Sequence, residues 1–163
     1  MAAWQFQFAL VPKAGILKVH GHLPETLPEY GMHIPEEQVK DSSEFNNYWE
    51  NAEPSSFPMK ALKSVLLPQE SWSNDAKMFG SANGNSIEIW SDDIFCAIDV
   101  RNLDISLLRS ILEIANNMQC KVALKDRGRL IDPDLATVLT EIRNSPAKKF
   151  VENPIDFIKN RQE

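Results

Sequence analysis

The residue pattern predicts an α+β fold: a mainly antiparallel sheet with helices packed on one face. Three observations carry this. Residues 87–100 read as a β-hairpin, two apolar runs joined by Ser91-Asp92-Asp93. Residues 103–118 read as an amphipathic helix, because Leu107, Leu108, Ile111, Leu112, Ala115 and Met118 recur at three- and four-residue spacing. Strands and helices do not alternate regularly, as they would in a doubly wound parallel sheet.

Taken in order, Trp4, Phe6, Phe8 and Leu10 alternate with Gln5, Gln7 and Ala9, the period of a half-buried strand. Pro12 and Gly15 end it, and Ile16-Leu17-Lys18-Val19 reads as a short second strand or an extension. Residues 20–58 are punctuated by Pro24, Pro28, Pro35, Pro54 and Pro58. One helix fits between them, with Pro35 in its first turn, Glu36 and Glu37 at the positive end of its dipole, and Phe45, Tyr48 and Trp49 on one face. Ser56 is suited to cap a helix from Phe57 to Leu67, with Leu62, Val65 and Leu66 as its apolar stripe and Pro68 as its stop. Asn83-Gly84 reads as a tight turn tolerant of positive φ.

Asn102 or Asp104 is placed to cap the long helix, and Cys120 to Leu124 reads as a strand turned by Asp126-Arg127-Gly128. The link from residues 94–100 through that helix to 120–124 is long enough for a right-handed crossover between parallel strands. Asp132 then reads as the cap of a helix with Pro133 at its first position and Leu135, Val138, Leu139 and Ile142 inward. Ser145-Pro146 and Asn153-Pro154 repeat the device and predict two further short helices. No internal repeat or linker interrupts the pattern, so residues 1–163 read as a single α+β domain.

A chain of 163 residues buries roughly 70% of its unfolded surface. With 43% apolar and 25% charged residues, it is neither disordered nor fibrous. No apolar run approaches the roughly 18 residues of a membrane span. Gln5 and Gln7 interrupt the apolar start, which reads as a strand rather than a secretory signal and points to a cytoplasmic protein. Cys96 and Cys120 sit in apolar runs and read as reduced core thiols.

The net charge is −6, and its distribution is uneven. From His20 to Glu53 eight acids meet one base, Lys40, whereas from Asp99 onward ten acids meet eleven bases. No basic face is available before residue 99, which argues against nucleic acid as partner. The acidic front is either a solvated surface or an interaction surface for a basic partner, since charge complementarity speeds encounter.

Little of the rest points to chemistry. His20-Gly21-His22, with His33, Glu25 and Glu29 near in sequence, contains the ligand types zinc needs but no second motif. Ser71, Ser73 and Asp75 resemble fragments of a nucleophile site, yet no histidine follows residue 33, so turn roles fit better. The cysteines have no flanking basic cue. Asp92-Asp93, with Glu88 before them, are explained by turn chemistry, and Lys125, Arg127 and Arg129 by a solvated turn. Trp72 and Trp90 read as core or core-edge aromatics, with an exposed interface anchor as the alternative. No glycine-rich phosphate loop is present. No catalytic residue, metal site or cofactor is assigned.

Ser71-Trp72-Ser73-x-Asp75, Phe79-Gly80, Asn85-x-Ile87-Glu88-Ile89-Trp90, Ile98-Asp99-Val100-Arg101 and the tail Ser145-x-Ala147-x-x-Phe150-Val151-x-x-Pro154-x-x-Phe157 form a pattern over residues 71–158. It resembles that of small bacterial proteins similar in size and acidity to immunity proteins, which neutralise secreted toxins of polymorphic-toxin and contact-dependent inhibition systems. The resemblance lies in fold-building residues and brings no catalytic set.

Acidity and resemblance together lead to the expectation of an acidic protein-binding module, an immunity protein that occludes a basic toxin domain. Its expected contacts are Glu36, Glu37, Glu44, Glu50, Asp92 and Asp93, with Tyr48 and Trp49 as anchors. Two rivals stand beside it. One is a small metal-dependent hydrolase using His20, His22 and His33. The other is a structural or regulatory homodimer pairing through an exposed sheet edge, the choice between monomer and homodimer being left open.

Overall fold

The computed structural model describes residues 2–31, 46–62 and 65–160. A seven-stranded antiparallel sheet organises them: β1 (Gln5–Pro12), β2 (Pro68–Gln69), β3 (Ala76–Gly80), β4 (Ser86–Trp90), β5 (Ile94–Asp99), β6 (Cys120–Leu124) and β7 (Leu130–Ile131), in the order β2-β3-β4-β5-β1-β6-β7. Five α-helices accompany it: α1 (Lys13–His20), α2 (Ile105–Asn117), α3 (Leu135–Arg143), α4 (Pro146–Glu152) and α5 (Pro154–Asn160). The α+β expectation holds.

β1 is central and pairs with β5 (Phe6↔Ile98, Phe8↔Cys96) and with β6 (Phe8↔Leu124, Leu10↔Val122). Both neighbours are antiparallel to it, so β5 and β6 run parallel to each other with β1 between them. The expected crossover through α2 therefore joins parallel strands that are not adjacent. Both faces of β1 are covered. Phe6, Phe8 and Leu10 enter the main core with residues of α2, α3 and α4, whereas Ala9 and Val11 enter a second cluster with Ile16 and Leu27. The half-buried reading fails at Gln5, which is buried. Its amide donates to the carbonyls of Ala82 (3.1 Å) and Gly84 (2.7 Å), so the buried polar group is satisfied.

α2 packs Leu107, Leu108, Ile111, Leu112 and Ala115 inward, and the Asp104 carboxylate accepts from the Leu107 amide at 2.9 Å. Each fully buried large aliphatic is worth roughly 1.5–3 kcal/mol. Cys96 and Cys120 are free and buried, and burial raises both thiols, Cys120 to about 12.

Several local expectations are corrected. Ile16–Val19 belong to helix α1, ended by Gly21 in the left-handed region (φ 73°), whose amide donates to the Leu17 carbonyl at 2.8 Å. A short apolar run does not separate strand from helix. The predicted helix 57–67 is instead a run of 3-10 turns at Pro54–Ser56 and Met59–Leu62, and Val65 and Leu67 are exposed. Asp134, not Asp132, caps α3, accepting from the Thr137 amide (2.9 Å), because Lys121 engages Asp132 at 2.8 Å. The Asn83-Gly84 turn forms, but the positive φ falls on Gly80. The predicted helix from Pro35 lies mostly outside the described residues, and Tyr48–Glu50 form a turn.

Candidate functional site

A polar cluster lies over the second face of the sheet, assembled from four parts of the chain. The first is the segment before the 3-10 turn Pro28–Tyr30. The Leu27 amide donates to the Gly128 carbonyl and the Leu130 amide to the Glu25 carbonyl, both at 2.8 Å. This seats the segment on the β6–β7 turn. Arg127 (φ 56°) and Gly128 (φ 68°) are the two central residues of that turn, closed by the Arg129 amide on the Asp126 carbonyl at 3.1 Å. A Cβ on Gly128 would stand 1.8 Å from the Leu27 carbonyl oxygen, so glycine is required twice over.

Leu27 thereby fills the second core while Glu29 and Tyr30 remain above it. The Tyr30 hydroxyl donates to Asp93 Oδ1 at 2.7 Å, at the β4–β5 turn. The Tyr48 hydroxyl donates to Glu29 Oε1. His20, at the end of α1, brings Nε2 to 2.9 Å from the Tyr48 hydroxyl. With the Tyr48 proton committed to Glu29, Nε2 is the donor. The rings of His20 and Tyr48 stack at 5.9 Å, and those of Tyr30 and Tyr48 lie 6.2 Å apart. Tyr48 is held by main-chain proximity to α1, since a Cβ on Gly15 would collide with its carbonyl oxygen at 1.8 Å.

Electrostatics follow from this packing. Burial raises the Asp93 carboxyl to about 6; the Tyr30 hydrogen bond and Lys125 oppose the rise, and Asp92 and Glu29 add to it. Burial also pushes both phenols well above their usual range, Tyr30 with help from Asp93 and Tyr48 with help from Glu29. The tyrosines are thus held as hydrogen-bond donors. The arrangement concentrates carboxylates at one place, and among the described residues the base that faces it is Lys125, poised 5.4 Å over the Phe95 ring.

The expected contact residues fall out as follows. Asp92 is exposed at the hairpin tip, and Asp93 beside it turns inward to Tyr30. Glu50 is exposed and pairs with Lys18 at 3.1 Å; with both side chains more than half exposed, that pair is worth less than about 1 kcal/mol. Tyr48 and Trp49 are corrected: they are 2% and 3% exposed and are core residues rather than surface anchors. Trp49 enters the main core, its indole N–H donating to the Leu10 carbonyl at 3.2 Å. Burying these rings gains more than leaving them in water, and their polar atoms find partners inside. Glu36, Glu37, Glu44 and His33 lie outside the described residues.

His20 and His22 are close, with ring centroids 6.4 Å apart, but His20 engages Tyr48 and His22 Nδ1 lies 3.0 Å from the His20 carbonyl. Among the described residues no group of three or more His, Cys, Asp or Glu is placed to hold a metal ion. Ser71 and Ser73 make local turn bonds, the Ser73 amide donating to Ser71 Oγ and the Asp75 amide to Ser73 Oγ. Trp72 departs from the core reading at 75% exposure, resting on half-buried Trp90 with centroids 5.2 Å apart. Tyr30 was missed as a site residue; its only local cue is the turn after Pro28, and its partner Asp93 stands 63 positions further on.

No protein-family model, curated protein or solved structure matches the chain. Among the described residues no helix is long and apolar enough to cross a membrane.

Proposed function

We propose that this chain is an acidic protein-binding module, an immunity protein that neutralises a bacterial toxin by covering a basic surface of it. The observation that carries the reading is the convergence of Glu29, Asp92 and Asp93 around the β4–β5 turn, close enough that Asp92 and Glu29 both raise the Asp93 carboxyl. Crowding like charges costs the fold stability, and such local conflicts concentrate where a protein serves something outside itself. Glu36, Glu37 and Glu44 stand in sequence between Tyr30 and Tyr48, whose rings lie 6.2 Å apart. The carboxylates steer the basic partner, and a few desolvated side chains supply affinity.

The test is the association rate with purified basic toxin domains, at low and moderate salt. Reversing Glu36, Glu37, Glu44 and Glu50 together to Lys slows association by about tenfold or more at low salt and leaves the melting temperature nearly unchanged. An unaltered association rate removes the proposal.

A further inference from the structure

At the β2 edge of the sheet, away from the acidic cluster in strand order, a groove of about 670 Å³ lies between the 3-10 segment and the β2–β3 pair. Ligand pockets span roughly 300–1,000 Å³. Phe57 and Met59, each less than a tenth exposed, line it together with half-buried Phe79, which shares its face of β3 with Lys77, so its floor is apolar and packed. Met59 has an unbranched, polarisable chain that adapts to an apolar guest.

The charges on this wall are all of one sign. Among the described residues Lys60 and Lys77 line the groove, both exposed, and no carboxylate lines it. Neither lysine makes an ion pair among the described residues. Glu88, opposite Met78 in the β3–β4 ladder, accepts from the Trp90 indole at 3.2 Å. Two exposed lysines thus line an apolar groove in a chain of net charge −6. Addition of a partner strand is disfavoured, because β2 has two residues and begins with Pro68, which has no N–H to offer.

We propose that this groove binds a long-chain carboxylate of the fatty-acid class. Its acyl chain lies over Phe57, Met59 and Phe79, and its carboxylate meets Lys60 and Lys77. The proposal rests on the groove alone and stands or falls separately from the toxin-binding reading. It is tested by calorimetric titration of the full chain with monomeric dodecanoate, with dodecyltrimethylammonium as the charge control. Expected are saturable one-site binding of dodecanoate, at least tenfold weaker binding of the cation, and at least tenfold loss of dodecanoate binding in the double variant Lys60→Glu, Lys77→Glu. Both lysines are exposed, so the double variant keeps its fold, which circular dichroism checks. Absence of saturable dodecanoate binding overturns the proposal. So does equal binding of the two amphiphiles, or equal dodecanoate affinity in the double variant.

Discussion

Replacing Asp93 by Asn should make the protein more stable at neutral pH, although it removes a charge from a hydrogen-bonded site. Asn keeps an oxygen to accept from the Tyr30 hydroxyl, 2.7 Å away in the native protein. What it removes is the cost of holding a carboxylate in a buried place beside Asp92 and Glu29. The Asp93 carboxyl rises from an ordinary value of 3.8 to about 6 in the fold. At about 1.4 kcal/mol per decade, that corresponds to roughly 3 kcal/mol. Because the hairpin tip reaches solvent, about 1–2 kcal/mol is the expected gain after screening.

The sign follows from proton counting. Below the ordinary carboxyl range both folded and unfolded chains carry the Asp93 proton, so nothing is lost. Between about pH 4 and pH 6 the folded chain binds more protons than the unfolded one, and stability falls as pH rises. Above that window the cost is complete. Asp99, held down by the Arg101 hydrogen bond, and Asp132, held down by Lys121, add slopes of opposite sign. The informative quantity is therefore the gap between variant and native protein, from urea unfolding at pH 4 to pH 8. It should be near zero at pH 4 and open to about 1–2 kcal/mol by pH 7, or roughly 2–8 °C in Tm. A gap that does not change with pH, or a variant less stable at pH 7, would refute the reasoning.

Two further predictions concern corrected residues. Trp49→Ala should cost about 3–5 kcal/mol of stability, as truncation of a large buried ring does, measured by denaturant unfolding; a variant as stable as the native protein would return Trp49 to the surface role expected of it. Asp134→Ala should lower the melting temperature more than Asp132→Ala, because Asp134 accepts from both the Thr137 amide and the Thr137 hydroxyl. The reverse order would restore Asp132 as the cap of α3.

Elements whose cause is local were legible in the residues. α2 could be read because its apolar spacing, its Asp104 cap and its length all lie within one short stretch. The β4–β5 hairpin and β6 are continuous runs bounded by turn residues. β3 was missed because Ala76-Lys77-Met78-Phe79-Gly80 has no β-branched residue and no clean alternation; its strand state comes from pairing with β4 on one side and β2 on the other. The segment 57–67 has the composition of a helix, yet Phe57, Met59, Leu62 and Leu66 are drawn inward from 3-10 turns at whatever spacing the core requires.

The chain's own pattern was enough to specify an α+β protein, its long helix, its central hairpin and its acidic front, because periodicity, capping and charge act over a few residues. Which carboxylate meets which tyrosine was not written there. Tyr30 finds Asp93 only after β1 has drawn β5 and β6 to its two sides and the β6–β7 turn has seated Leu27. The same holds for Tyr48 and Trp49: aromatics in an acidic stretch look like anchors for a partner, and they become core because the end of β1 offers apolar cover and the Leu10 carbonyl as an acceptor for the Trp49 indole. Burial is non-directional and rewards any apolar surface that can be covered, so the choice among covers is made only when the distant parts of the chain are packed together.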